Sequence, residues 1–108
     1  MAYKSIIAMV KPDLTDRIVN SAKQVGATGA TVIAGSGTGA NEAKTFFGLS
    51  LDIRTDVVLF LVDNEIVEPV LSAIKEAGRF DKPGTGIAFV LAVAQTAGIE
   101  SQLSKSGW

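Results

Sequence analysis

Apolar and β-branched residues are concentrated in four short runs along the chain, bounded by proline, glycine or acidic residues. Runs of this length and composition are typical of β-strands. The predicted strands are residues 3–10, 30–34, 55–62 and 87–95. Between the second and third of them, residues 35–45 predict a glycine-rich loop, and residues 46–54 continue that excursion or pair loosely as a ribbon.

Two further segments carry apolar residues at helical spacing. The first segment predicts a helix that Asp13 caps and Gly26 ends. Its apolar residues are Leu14, Ile18, Ala22 and Val25.

The second segment predicts a helix that Asp63 or Asn64 caps and Gly78 ends. Its apolar residues are Ile66, Val70, Leu71, Ile74 and Ala77. Pro69 fits this helix only if the regular hydrogen bonding begins late, so that its missing N–H falls in the first turn.

The order of these elements, β-α-β-β-α-β, predicts an α+β, ferredoxin-like fold. Such a fold has a four-stranded antiparallel sheet with two helices on one face. Residues 1–100 are predicted to form this single domain, and residues 101–108 a polar tail without periodicity.

The predicted strands are apolar on both faces, whereas a sheet with one wet face alternates apolar and polar residues. Residues 57–62, for example, are all apolar. Two helices cover only one face, and each large side chain left in water forgoes roughly 1.5–3 kcal/mol, against ~5–15 kcal/mol for a whole domain. We therefore expect the second face to be buried in a closed, symmetric homo-oligomer.

The composition supports burial of the second face, and it excludes several kinds of catalytic and metal site. Hydrophobic residues make up 47% of the chain, and adding 11 glycines among 108 residues raises the apolar share to about 57%, above the usual roughly 45–50%. The absence of cysteine excludes disulfides and thiolate-bound zinc, and the absence of histidine excludes a Ser-His-Asp triad and imidazole-ligated metal. We predict no metal site and, with a formal charge of −1, no nucleic-acid partner.

The chain also carries no predicted membrane span or signal peptide. Its longest apolar runs are far shorter than the ~20 residues that cross a bilayer. The N-terminal apolar stretch is short and lacks a small-residue cleavage site. The expected location is therefore the cytoplasm.

Paired carboxylates offer no catalytic site. The pair Asp13 and Asp16 and the pair Glu65 and Glu68 fall in first helical turns, where acidic residues favour the helix dipole. Asp52 and Asp56 flank the loop, and we expect both to be solvated. We predict no catalytic residue and no enzymatic activity.

Two glycine-rich segments remain as candidate sites. Residues 35–40, G-S-G-T-G-A, fit the dinucleotide pattern G-x-G-x-x-G/A, but no good helix follows. The alternatives are a mobile hairpin-like loop and a loop whose backbone N–H groups meet an anion. Residues 79–86 are either a tight helix-to-strand turn or a phosphate-binding turn, with Lys82 and Arg79 supplying positive charge.

Several blocks of the chain together resemble the PII signal-transduction proteins in order and spacing. The blocks are A-M-V-K-P at residues 8–12, V-G-A-T-G-A-T-V at 25–32, G-T-G at 37–39, and D-K-P-G-T-G at 81–86 followed by F-V at 89–90. The resemblance covers about residues 4–99. It implies a ferredoxin-like homotrimer with inward-facing sheets, nucleotide clefts between subunits, and a mobile T-loop that docks onto a transporter or a metabolic enzyme.

The resemblance also implies roles for individual residues. Gly29, Thr31, Met9 and Leu61 would surround the adenine, and Gly37, Thr38 and Gly39 would form the base of a T-loop-like excursion at residues 35–54. Lys82, Gly84, Thr85 and Gly86 would form a B-loop-like turn around the phosphates. Further candidates for contacts with an effector or a partner lie along the excursion: Asn41, Lys44, Phe46, Phe47 and Arg54.

The chain departs from the PII pattern where that family binds anions. Ile87 occupies the place of the B-loop lysine, Gly98 and Glu100 those of two C-terminal arginines, and Thr55 that of the lysine that pairs with 2-oxoglutarate. The excursion contains no tyrosine that could be uridylylated. Lost cations weaken binding of ATP and 2-oxoglutarate most, so we expect AMP, ADP or another small anion as effector, or no nucleotide at all, and no required cofactor.

Two other functions are compatible with the same fold. One is a CutA-like trimeric module that serves as a structural or metal-response protein without a nucleotide, although the chain has no histidine or cysteine for the metal. The other is a small isomerase or monooxygenase, which would need a base in its pocket that the sequence does not offer.

Overall fold

The computed structural model describes residues 2–36, 45–46, 49–50, 54–99 and 101. Two α-helices and six strands lie along this part of the chain. The helices are α1, Thr15–Gln24, and α2, Val67–Ala77. The strands are β1, Tyr3–Val10; β2, Thr31–Ser36; β3, Thr45–Phe46; β4, Leu49–Ser50; β5, Arg54–Asp63; and β6, Gly86–Ala92.

Four of the strands form one antiparallel sheet in the order β2-β5-β1-β6. This topology confirms the predicted ferredoxin-like βαββαβ fold. The short strands β3 and β4 pair separately, with Thr45 opposite Ser50 and Phe46 opposite Leu49. The predicted loose ribbon is therefore present, and it includes Thr45, which the sequence had assigned to the irregular loop.

The ends of β2 and β6 differ from the prediction, because each strand ends where its pairing with the neighbouring strand ends. β2 continues to Ser36, because Gly35 and Ser36 pair with Thr55 and Arg54 of β5. β6 stops at Ala92, three residues before the predicted end, because its partner β1 begins at Tyr3 and Lys4 already lies opposite Ala92. Strand β1 has the predicted bounds.

Each helix begins with a 3-10 turn. Asp13 lies inside the first turn, Pro12–Leu14, and caps nothing, so its predicted capping role is wrong. Asp63 does cap the second turn, Asn64–Ile66, by accepting a 2.9 Å hydrogen bond from the backbone N–H of Glu65. Pro69 is the third residue of α2, within the first turn, as the sequence predicted.

The core lies between the helices and one face of the sheet. The fully buried side chains include Ile6, Val10, Val58 and Phe60 from the strands and Ile18, Val70 and Ile74 from the helices. Val25 was expected on the apolar face of α1, but it is 40% exposed because the helix ends at Gln24 and Val25 is its C-cap.

The opposite face of the sheet, here called the open face, is also apolar. Strand pairing aligns its side chains in rows, one of which contains Ile33, Val57, Met9 and Ile87. Large apolar side chains on it are exposed, including Ile33 at 50% and Leu91 at 48%. The two apolar faces predicted from the sequence are therefore present.

A buried polar pair ties α1 to the start of β5. The Thr15 hydroxyl donates a 2.6 Å hydrogen bond to Oδ2 of Asp56. Asp56 is only 8% exposed, so the prediction that it is solvated is wrong. Its place in the sheet explains the burial, because it lies opposite Val10 on the helix-covered face.

Candidate functional site

A cavity of about 760 Å³ opens at one end of the sheet. Its walls come from the loop between α1 and β2, the start of β1 and the end of β5. Ile66 and Ile99 complete the lining. Gly26 shapes the loop at its start, because its φ of 116° is a backbone conformation that glycine adopts readily.

The lining of this cavity is mainly apolar and carries no positive charge. Its polar side chains are four hydroxyls, those of Tyr3, Ser5, Thr28 and Thr31, and the carboxylate of Asp63. That carboxylate already accepts a hydrogen bond from the Glu65 backbone. A cavity lined this way suits a neutral, largely apolar group and disfavours a phosphate or a carboxylate.

Gly29 contributes open space to this cavity. A Cβ atom built at this position would meet no heavy atom within 4 Å, and the residue does not have a positive φ. Neither packing nor backbone conformation therefore requires glycine here. The missing side chain leaves room for a ligand to approach the backbone.

The structure brings together three of the four residues that were expected around the adenine. Gly29, Thr31 and Leu61 all line the cavity, whereas Met9 does not. Met9 lies further along the open face, paired with Val57 and Ile87.

Sequence reasoning missed several other lining residues. Ser5 and Leu59 could have been predicted from Leu61. Ser5 pairs with Leu61 on the neighbouring strand, and Leu59, two residues before Leu61 in β5, points to the same face of the sheet. Ile99 gave no signal, since it lies in a segment without periodicity. Its presence at the cavity makes the segment after β6 part of the site.

A second candidate region, the turn at residues 79–86, closes α2 with a Schellman motif. The Phe80 N–H donates to the Lys75 carbonyl at 3.1 Å, and the Arg79 N–H donates to the Glu76 carbonyl at 3.2 Å. The residue with left-handed backbone is Arg79, with φ 56°, and the preceding Gly78 is right-handed with φ −85°. A left-handed backbone costs a residue with a side chain roughly 1–2 kcal/mol.

Phe80 explains the glycines at both ends of this turn. A Cβ atom at Gly78 would collide with the Phe80 ring. A Cβ atom at Gly86 would lie 2.7 Å from Cε1 of Phe80 and 2.8 Å from the Met9 carbonyl oxygen. Both positions need glycine for packing, in contrast to Gly29.

The hydroxyl group of Thr85 is bonded within the turn, whereas the charged side chains of the turn are exposed. The Thr85 hydroxyl lies 2.7 Å from the Arg79 carbonyl oxygen and 2.9 Å from that of Lys82, so it donates inside the turn. Gly84 has a φ of 78°, which favours glycine. The side chains of Arg79 and Lys82 are both exposed.

The cavity and the turn lie at opposite ends of the sheet. Ser5 lines the cavity, and Val10 pairs with Gly86 at the end of the turn. Val10 is five residue steps from Ser5 along β1, about 17 Å, and three steps, about 10 Å, from the row of Ile7 and the lining residue Leu59. In one copy of the chain, the cavity and the turn are therefore separate regions along the sheet.

Most candidate residues of the excursion lie outside the described residues: Gly37, Thr38, Gly39, Asn41, Lys44 and Phe47. Phe46 belongs to β3. Arg54 is exposed at the first position of β5 and pairs with Ser36. The two ends of the excursion that the structure describes are thus hydrogen-bonded to each other in the main sheet.

Within the described ranges, acidic residues do not gather into a group of three that could hold a metal ion. The same ranges contain no helix long and apolar enough to cross a membrane. Asp16 and Glu68 lie in the first turns of α1 and α2, as predicted.

Comparisons with known sequences and structures show which proteins this chain is similar to. No curated protein sequence matches the chain. A crystal structure of Arabidopsis thaliana PII bound to citrate is similar, with a TM-score of 0.70, 24% sequence identity, and coverage of 93% of this chain and 85% of that chain. The likeness confirms the fold.

The sequence model of the family described as nitrogen regulatory protein P-II matches residues 3–102, nearly the whole chain. This match favours the PII hypothesis over the CutA-like and enzymatic alternatives. The chain therefore belongs to the nitrogen regulatory protein P-II family, as the resemblance predicted, and is a PII-like regulatory protein.

Proposed function

We propose that this protein is a homotrimeric, cytoplasmic signal-transduction protein, not an enzyme, that senses an adenine nucleotide between its subunits. The observation that carries this proposal is the separation of two half-sites: a cation-free cavity and a cation-bearing turn. Each half suits one part of a nucleotide. The two halves lie apart along the sheet of one chain, and association of copies of the chain would bring them together.

The open face supports assembly. Its exposed apolar side chains include Ile33, Leu61, Phe89 and Leu91. These side chains are 39–50% exposed, so burying the rest of each yields about half of the roughly 1.5–3 kcal/mol of a fully exposed side chain. Summed over the four, this is a sizeable share of the ~5–15 kcal/mol stability of a domain. A closed ring of copies buries this face without leaving an unpaired surface.

The cavity is the proposed site of the adenine ring. Gly29 leaves room beside the backbone, and Leu59 and Leu61 provide an apolar wall. The hydroxyl of Thr31 supplies hydrogen bonding at the edge of that wall. The absence of Lys and Arg from the lining directs the phosphates elsewhere.

The phosphates would lie against the 79–86 turn of a neighbouring subunit. Lys82 and Arg79 supply the charge there, and Gly84 opens the backbone to close approach. Ile87, where the family has lysine, is the second residue of β6, directly after Gly86. We therefore expect AMP or ADP rather than ATP as the effector, with 2-oxoglutarate disfavoured.

The excursion at residues 35–54 would report ligand occupancy to a target, either a transporter or a metabolic enzyme. Its described ends pair within the sheet, through Gly35 with Thr55 and Ser36 with Arg54. The buried Thr15–Asp56 hydrogen bond holds this base in place. A ligand that contacts the base of the excursion in one of its conformations would shift the population of loop states.

Calorimetric titration of the purified protein with adenosine, AMP, ADP, ATP, 2-oxoglutarate and bicarbonate tests the proposal. Citrate belongs in the panel because the similar Arabidopsis PII was crystallised with it. We expect ADP or AMP to bind at micromolar concentration, and adenosine to bind more weakly. An absence of binding by every adenine compound would contradict the proposal.

The variant Gly29→Leu should abolish nucleotide binding by filling the cavity without disturbing the fold, since the space at Gly29 is open. Asn20→Leu is the matched control, because it adds the same side chain at an exposed position of α1. Equal nucleotide affinities in the two variants would show that the cavity is not part of the binding site.

A further inference from the structure

We propose that residues 102–108 of the same chain bind in the large cavity, as an extended segment along the unpaired edge of β5, and compete there with the ligand. The binding of this segment goes beyond the function proposed above and does not depend on it. The competition rests on the proposed function for the nature of the ligand.

One edge of β5 is unpaired where the strand borders the cavity. β5 continues to Asp63, but β2 begins only at Thr31, opposite Leu59. Residues 60–63 therefore pair with β1 on one side and with no strand of the described ranges on the other. In an antiparallel pair alternate residues direct their N–H and C=O groups away from the partner, so two of these four residues direct both groups away from β1.

The cavity lies beside this edge. All four residues at positions 60–63 line it, and residues 26–30 line it from outside the strand pairing. Backbone groups without a partner favour a ligand that brings hydrogen-bonding groups of its own. An extended peptide supplies such groups when it adds to a sheet edge, and the pockets beside the edge take its alternate side chains.

The position of Ile99 makes residues 102–108 the nearest source of such a peptide. Ile99 lines the cavity and lies three residues before this segment. Extended, seven residues span ~23 Å, whereas the four unpaired residues of β5 span ~13 Å, so the segment is long enough to follow the edge. A short tether also holds it near the cavity at an effective concentration on the order of millimolar, so weak contacts suffice.

The chemistry of the segment matches that of the cavity. Its sequence, Q-L-S-K-S-G-W, carries two large apolar side chains, Leu103 and Trp108, and one charge, Lys105. The cavity lining is mainly apolar, with one carboxylate, Asp63, and no lysine or arginine. Oδ1 of Asp63 accepts from the Glu65 N–H, which leaves Oδ2 for the Lys105 ammonium group.

Binding of this segment would regulate access of the ligand. The indole of Trp108 is a flat, fused double ring with an N–H donor, so it requires the same kind of space as an adenine ring. A ligand that binds only when the cavity is open has its affinity reduced by the open fraction. If the segment fills the cavity in about nine of ten molecules, ligand affinity falls about 10-fold.

The fluorescence of Trp108 tests the binding of the segment without any ligand, because Trp108 is the only tryptophan of the chain. In the ligand-free protein we expect emission at shorter wavelength, and weaker quenching by acrylamide, than in the free peptide Q-L-S-K-S-G-W. Gly29→Leu fills the cavity and should shift the emission to that of the peptide. Asn20→Leu, at an exposed position of α1, should leave the emission unchanged.

Lys105→Glu provides a second variant that does not alter the cavity or the core. It places a negative charge near Asp63 and should also shift the emission toward that of the peptide. Lys11→Glu makes the same change of charge at an exposed position after β1 and should not. Wild-type emission equal to that of the peptide would overturn the proposal, as would emission that a folded Gly29→Leu leaves unchanged; if Gly29→Leu does not fold, unchanged emission in Lys105→Glu would do so.

Truncation after Ser101 tests the competition. The truncated protein should bind ADP about 3- to 10-fold more tightly than the full chain, and ADP should shift the Trp108 emission of the full chain toward that of the peptide. Equal ADP affinities in the two proteins would overturn the competition. If no adenine compound binds either protein, the proposed function and the competition fail together, and the fluorescence of Trp108 still decides whether the segment binds in the cavity.

Discussion

The large cavity and the 79–86 turn use glycine in opposite ways. At Gly29 a side chain would enter open space, whereas at Gly86 it would enter the Phe80 ring and the Met9 carbonyl. The cavity carries no cation, and the turn carries two exposed ones. The cavity therefore offers space without positive charge, and the turn offers positive charge without comparable space. Under the proposed function, a ligand with an apolar and an anionic part contacts both regions.

The largest effect on ligand binding is expected from a variant that prevents assembly, because the cavity of one subunit then cannot lie beside the turn of another. Leu91 is 48% exposed on the open face, so Leu91→Glu would place three charges in the buried centre of the proposed trimer. Burying an unpaired carboxylate is strongly unfavourable, and we expect the variant to be a folded monomer that no longer binds ADP. Sedimentation velocity measures the assembly.

Ser72→Glu, on an exposed position of α2, adds the same charge away from the open face and should remain a trimer. A Leu91→Glu protein that still sediments as a trimer would show that the open face is not the interface.

The next largest effect is a loss of stability, expected from a substitution in the 79–86 turn. Gly86→Ala places a methyl group 2.8 Å from a backbone oxygen that cannot easily move, and we expect a loss of about 2–4 kcal/mol in the free energy of unfolding. Urea denaturation monitored by circular dichroism measures this loss. A loss below about 0.5 kcal/mol would mean that the turn has room for a side chain after all.

A smaller effect is expected at the buried pair beside the turn. Asp56, Val10 and Gly86 lie in one row of the sheet, so the Thr15–Asp56 hydrogen bond stabilises the same end of the fold. Thr15→Val leaves the buried Asp56 carboxylate without this donor and should cost about 1–3 kcal/mol.

A double-mutant cycle with Asp56→Asn measures the interaction, because the loss from Thr15→Val should shrink once the carboxylate has been replaced by an amide. Strictly additive losses would mean that the two side chains do not stabilise each other.

The smallest effect on stability is expected at the cavity. Gly29→Ala should change the free energy of unfolding by less than about 0.5 kcal/mol, because the added methyl group meets nothing within 4 Å. The same variant should still weaken ADP binding, since the methyl group occupies the cavity. A destabilisation as large as that of Gly86→Ala would show that packing requires glycine at position 29 as well, contrary to the difference described between the two regions.

The sequence predicted the features that depend on local pattern. The order of strands and helices along the chain, the apolar open face and the place of Pro69 in the first turn of α2 follow from periodicity and from the chemistry of proline. Gly29, Thr31 and Leu61 were assigned to one pocket through the resemblance to a family, and they do line one cavity.

The features that depend on tertiary contacts were not accessible. Asp56 was expected in water, because its burial arises from Val10 and Thr15, which are distant in the chain. The left-handed residue at the end of α2 is Arg79 rather than Gly78, and a Cβ atom at Gly78 would meet the Phe80 ring, which the sequence pattern does not reveal. Ile99 joins the cavity through a segment that carries no periodic signal.

Complementation between two deficient subunits tests the central claim most directly. Gly29→Leu removes the cavity half of the site, and the double variant Arg79→Gly with Lys82→Ala removes the turn half, so neither protein alone should bind ADP. When equal amounts are unfolded and refolded together, random assembly should pair an intact cavity with an intact turn in about a quarter of the sites. Calorimetry that finds this fraction of ADP sites would support a site shared between subunits, whereas a mixture that binds no ADP would contradict it.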